Sequence, residues 1–133
     1  MKRIYSLPEA NRVLPLVRAI ARELIERRTQ RRTLNREREL LERAQTPEGL
    51  RSELAELDIR ISDHDNAMAN CRREIEGMGM SVLRTNPLTI HIPGHSRTGQ
   101  VVFCWEEGEE TVCFGHRVGE EEEARMPLRL KAS

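Results

Sequence analysis

The sequence predicts an α+β protein: a long antiparallel two-helix hairpin of coiled-coil type with a small three-stranded antiparallel β-meander packed at its base. Three observations carry this. Leu50, Leu54, Leu57, Ile61, His64, Met68, Cys71, Ile75 and Met78 follow an unbroken 4-3-4-3 spacing, the pattern of a helical seam. A second series in the same phase runs through Val13, Val17, Ile20, Leu24, Arg27, Arg31, Leu34, Arg38 and Leu41. After Gly77 and Gly79 the apolar period changes from helical to alternating.

Ser6 followed by Glu9 forms a capping-box pair, so the first helix begins there. Pro15 lacks the amide that a helix interior needs, which predicts a kink, or a short helix followed by a long one. Thr46 and Pro47 read as the N-cap and first position of the second helix, so the first ends near Ala44. Folding the chain about Gln45 and Thr46 sets Leu41 near Leu50, Leu34 near Leu57, Arg27 opposite His64, Ile20 near Cys71 and Val13 near Met78. Each arm is about 30 to 35 residues, or roughly 45 to 50 Å at helical rise. The middle of the hairpin is polar, with Asp58, Asp63 and Asp65 placed to face the arginines, and such a layer fixes register.

Val13, Leu14, Leu16, Val17, Ala19, Ile20 and Ala21 are apolar around the whole first helix, which predicts burial on every side. The C-terminal third is the available cover. Leu88, Ile90 and Ile92 alternate with Thr89 and His91 up to Pro93-Gly94, and Val101–Trp105 and Thr111–His116 follow around a turn at Glu106–Glu109. Pairing Trp105 with Glu110 would put Val101, Phe103, Trp105, Val112 and Phe114 on one face, against the helix, with His116 beside them at the junction of sheet and helices. Glu120–Glu123 read as a solvated acidic loop and Met126–Leu130 as a returning tail. The whole chain, 1–133, reads as one domain, with the hairpin over about 6–79 and the meander and tail over about 87–133.

Composition narrows the function. Charged residues make up 33% and hydrophobic ones 38%, with one Trp, one Tyr and two Phe, which suits elongated helices with solvated faces better than a deep-pocketed enzyme. The formal net charge of zero conceals a basic first helix, since residues 1–45 carry twelve basic and six acidic side chains. Cys71, Cys104 and Cys113 include no CxxC pair and imply no disulfide framework, which fits a reducing compartment. Pro8, Asn11, Arg12, Pro15 and Arg18 interrupt any signal-peptide core, and no segment approaches a membrane span, so the chain reads as cytoplasmic with no membrane partner.

Phe103-Cys-Trp-Glu-Glu-Gly-Glu-Glu-Thr-Val-Cys-Phe-Gly-His116 spaces Cys-Trp, Gly-Glu, Val, Phe and His in a recognisable way. It resembles the uncharacterised prokaryotic domain-of-unknown-function family 2203. Leu7-Pro-Glu-Ala-Asn11, Leu14-Pro-Leu-Val-Arg18 and Arg125-Met-Pro-Leu128 look like that family's other marks. The resemblance marks Trp105, Gly108, Glu109, Phe114, His116 and Arg125 as motif residues and brings no established activity. The chain departs from the family pattern at His91-Ile92-Pro93, where the family favours Asp before an aromatic and Pro, and at Glu121-Glu122, where it tends to Gly-Phe.

Three functional readings follow. In the first, the chain is a non-enzymatic interaction or scaffolding module without a cofactor, self-associating as a homodimer through its hairpin or binding another protein, because one buried seam leaves Leu34, Leu40, Leu41, Leu50 and Leu54 short of cover. The second is nucleic-acid binding through Arg27, Arg28, Arg31, Arg32 and Arg36, against which stand the glutamates of the same helix and the carboxylates of the next. The third is a metal or catalytic site around His116, with His91, Glu109, Arg125 and Cys104 or Cys113 as further candidates, although no pair has the spacing of CxxC or HxxxH and no nucleophile elbow or phosphate loop is present. Trp105 reads as core, and His95 as an exposed loop residue.

Overall fold

The structure is a computed structural model that describes residues 4–44, 49–97, 99–112, 114–117 and 126–127. Ser6 caps helix α1, Leu7–Arg43: its hydroxyl accepts from the Glu9 amide while the Glu9 carboxylate accepts from the Ser6 amide, the reciprocal bonds expected of a capping box. These bonds also hold the Glu9 carboxyl below its ordinary range. The helix runs through Pro15 as one element, not as the short helix followed by a long one that was the alternative to a kink. Pro15 lies on the exposed side, where water can take the carbonyl its ring leaves without a donor.

Helix α1 ends at the C-cap Ala44, as expected; the Thr46-Pro47 start falls outside the described residues, and α2 spans Gly49–Gly77. It closes as a Schellman motif, with the Gly79 amide donating to Glu76 O and the Met80 amide to Ile75 O. Gly79 takes φ 82°, a left-handed turn that glycine adopts without strain.

The two helices pack in the expected register. Val17, Ile20, Leu24, Cys71 and Ile75 join one buried cluster, and Leu34, Leu57 and Ile61 form a second, smaller one farther out. Between them lies the polar layer: Arg27 Nη1 donates to His64 Nδ1 at 3.3 Å, and Arg31 pairs with Asp65 at 2.5 Å. Farther out, Arg38 pairs with Asp58 at 2.6 Å, which raises the guanidinium's pKa and lowers the carboxyl's.

The sheet has five antiparallel strands in sequence order: β1 Ser81–Thr85, β2 Leu88–Ser96, β3 Gly99–Glu106, β4 Phe114–Arg117 and β5 Met126–Pro127. The three expected strands are the centre of this sheet, extended by an edge strand on each side. Strand β2 continues to Ser96, past its expected end at Pro93-Gly94. Pro93 is tolerated because its backbone polar groups point away from β3, toward the edge where the Tyr5 amide donates to Pro93 O. Gly94 is required because a Cβ there would strike the Phe103 ring, 2.6 Å from Cζ and 2.7 Å from Cδ2.

One face of the sheet, carrying Leu88, Ile90, Ile92, Phe103 and Trp105, closes over the base of the hairpin. It covers Leu14, Val17 and Ala21, but Leu16 remains 58% exposed and Ala19 is exposed, so the base is not buried on every side. The sheet and α2 cover adjacent flanks of the helix, and Leu16 and Ala19 fall on the side that neither reaches. Arg28 of α1 ties the two layers: it donates to Thr85 O and pairs with Glu107 at 2.6 Å. Asn11 does the same at the other end, accepting from the Val112 amide and donating to Leu7 O and Val112 O.

Candidate metal centre on the outer face of the sheet

Strand pairing assembles the site. His91 on β2 lies directly opposite Cys104 on β3, and His116 on β4 lies opposite Val102, two residues from Cys104. Directly opposed residues and residues two apart on a strand share a face, so His91, Cys104 and His116 project together. That face is the one turned away from the helices. His116 therefore does not sit at the sheet–helix junction, and position 114 does not share the face of Trp105.

The cause is a register difference of three residues. Cys104 pairs with Phe114, whereas the expected pairing of Trp105 with Glu110 would set Cys104 against Thr111. An odd shift exchanges the two faces of a strand. The extra residues are taken up in a loop closed by its own hydrogen bonds: Trp105 Nε1 donates to Glu109 O, the Glu109 amide to Glu106 O, and the Glu106 amide to Glu109 Oε1. Gly108 turns this loop at φ 99°, in the region that favours glycine. Trp105, Gly108 and Glu109 thus build a loop, and Glu109 is not brought to the histidines.

The donor atoms of His91, Cys104 and His116 all lie within 4.8 Å of one another. The two imidazole rings meet edge to face, with centroids 5.2 Å apart and planes at 68°. Cys104 is fully buried, His116 is 8% exposed and His91 is half-buried, so the cluster has an enclosed side and an accessible one. Zinc bonds of about 2.3 Å to sulfur and 2.0–2.1 Å to nitrogen, set tetrahedrally, need donors roughly 3.3–3.6 Å apart. Side-chain rotation that draws the longest separation in by about 1 Å reaches that geometry.

Of the expected metal residues, the structure joins His116, His91 and Cys104 and leaves Glu109 in the loop. The signal available in the sequence was a hairpin closing near Arg97, which sets His91 opposite Cys104; ending the strand at Pro93-Gly94 hid it. Cys113, Arg125 and the Glu120–Glu123 stretch lie outside the described residues. Cys71, the other described thiol, is a different kind of group: it lies in the hairpin and donates to Glu23 Oε2 at 3.1 Å. Burial, then the neighbouring Glu23 carboxylate, pushes it up to about 12, so it stays protonated.

Among the arginines suggested for nucleic acid, Arg27, Arg28 and Arg31 are engaged by His64, Glu107 and Asp65, while Arg32 and Arg36 are exposed and have no ion pair among the described residues. His95 is exposed and Trp105 is core, as expected. No helix among the described residues is long and apolar enough to cross a membrane.

A two-helix hairpin roofed by a meander sheet, with a loop built on Trp105, Gly108 and Glu109, defines an α+β class of chain. The chain belongs to the family described as uncharacterized conserved protein DUF2203, which it matches over residues 3–128. No curated protein and no solved structure matches it significantly.

Proposed function

We propose that this chain is a transition-metal-binding protein whose centre is His91, Cys104 and His116. The supporting observation is the convergence of one sulfur and two imidazole donors, from three successive strands, within 4.8 Å. Thiolate with imidazole selects zinc-class ions over magnesium or calcium, which take oxygen donors. Three protein donors leave a fourth position for water or another ligand. The site is held by the sheet ladder rather than by a loop, so its backbone is fixed before the ion arrives.

The self-associating scaffold has less to rest on. The large exposed apolar residues Ile4, Leu16, Leu40, Ile59 and Leu83 are spread over four segments of the fold, and Leu16 and Leu40 are separated along α1 by about 36 Å. Isolated exposed apolar residues are ordinary on monomers.

Cobalt(II) provides a spectroscopic test. The full chain should bind one equivalent and develop the near-ultraviolet thiolate-to-cobalt charge-transfer band. Cys104→Ser should lose that band. His116→Ala should weaken binding by more than the roughly tenfold that loss of an outer hydrogen bond to a ligand costs. Circular dichroism of each apo variant checks folding separately. A folded Cys104→Ser chain that keeps the band, or a wild-type chain that takes up no cobalt or zinc, overturns the reading.

A further inference from the structure

The arginines of α1 divide into two sets, the first of which belongs to the seam series. Arg27, Arg31 and Arg38 point into the hairpin and meet His64, Asp65 and Asp58 of α2. At 100° per residue, Arg18, Arg22, Arg32, Arg36 and Arg43 all fall within about 40° of one line on the opposite side of the helix. All five are exposed, and none is ion-paired among the described residues. Asp58 and Asp65 of α2 pair with the first set, and among the described residues no carboxylate of α2 pairs with the second.

Acidic neighbours do not cancel this stripe. Only Glu39 falls within about 60° of the same line, and Glu26 and Glu37 lie at roughly 80–100°, toward the flank. Near Arg18 and Arg22 the sheet contributes Glu107 and Glu109 to the lining of a shallow cleft. Glu107 is engaged by Arg28 and by the Leu88 amide, and Glu109 accepts from the Glu106 amide.

We infer that this stripe is a binding surface for double-stranded nucleic acid, read through its phosphate backbone. From Arg18 to Arg43 the stripe runs about 37 Å, close to the roughly 34–36 Å of one turn of duplex. Thr29 and Thr33 lie on the same side, but their hydroxyls donate to Ile25 O and Thr29 O, so the donors the stripe offers to phosphates are its guanidiniums. The sector carries no aromatic side chain on which unpaired bases could stack, which selects duplex over single strand. Gln30 and Asn35 lie roughly 100–120° from the line, so the sector offers guanidiniums without the side-chain amides that read adenine, and binding is independent of sequence.

The test is fluorescence anisotropy of the full chain with a labelled 24-base-pair DNA duplex, the matching RNA duplex and a single strand, over a potassium chloride series. Five phosphate contacts predict a slope of about −4.5 in log K against log salt, a loss of roughly 500-fold between 50 and 200 mM. The triple change Arg32→Ala, Arg36→Ala, Arg43→Ala should bring the slope to about −2, whereas Arg31→Ala, which removes an internally paired guanidinium, should leave it in place. Which duplex binds more tightly identifies DNA or RNA as the source of the phosphates. No duplex binding at 50 mM, a flat salt response, an unchanged slope in the folded triple variant, or a preference for anionic lipid vesicles over both duplexes would each refute the inference. None of these outcomes depends on the metal centre, which the Cys104→Ser chain leaves out of the assay.

Discussion

Gly94→Ala is expected to destabilise the protein by about 3 kcal/mol, the upper part of the range for forcing extra atoms into a packed core. The methyl would enter the space of the Phe103 ring, which is itself buried among Ile90, Ile92 and the base of α1 and has nowhere to withdraw. Phe103→Ala alone should cost about 3–5 kcal/mol, the transfer and cavity terms for a buried aromatic. The double variant should be scarcely less stable than Phe103→Ala, because the methyl then has room. Urea unfolding of the four chains measures this coupling directly. Additive losses would show that Gly94 serves backbone geometry and not the ring.

The second large effect is expected at Arg28. Its side chain is 15% exposed and that of Glu107 25% exposed, so removing one partner strands the other in a partly desolvated place. Breaking a fully buried pair costs about 3–5 kcal/mol; with this much solvent access Arg28→Ala should cost about 2–3. Part of that is the Thr85 carbonyl, which loses its donor. The pair also sets a pH dependence. The Arg28 guanidinium, together with the Leu88 amide, holds the Glu107 carboxyl below its ordinary value of 4.5. A carboxyl whose pKa is lowered by folding contributes stability above its unfolded value, and that contribution is lost as pH falls through the folded value. Stability should therefore decline below about pH 4.5, and this portion of the decline should be absent in Glu107→Gln. Denaturant midpoints between pH 3 and 6 measure it, and identical acid limbs in the two chains would contradict it.

The helical half of the molecule was legible because a helix reports its partner through periodicity. Val13 to Leu41 and Leu50 to Met78 specify both the hairpin and its register, down to Arg27 beside His64. The sheet was harder to read, since a strand's face depends on the parity of the connection before it. The loop from Glu106 to Val112 is closed by contacts between its own backbone, Trp105 and Glu109, and nothing in its composition counts those residues. A three-residue difference moved His116 from one face to the other and concealed its meeting with His91 and Cys104. Likewise, the seam series placed Arg27 and Arg31 toward α2, but the nucleic-acid reading grouped them with Arg32 and Arg36, because which guanidiniums are engaged depends on where the partners on α2 stand.

The order of the strands also bears on how the chain reaches this state. Every strand pairs with its immediate neighbour in sequence, and the helices form a hairpin across a short connection. Little loop-closure entropy is lost in making either half, and topologies of this kind fold fast. The ties that span the chain are few and specific: Tyr5 against Pro93 and His95, Asn11 with Val112, and Arg28 with Thr85 and Glu107. These bridge 57 to 101 positions and close only when the two halves meet. Asn11 and Arg28 are thus the latches, at the two ends of the sheet, that close when roof and hairpin dock.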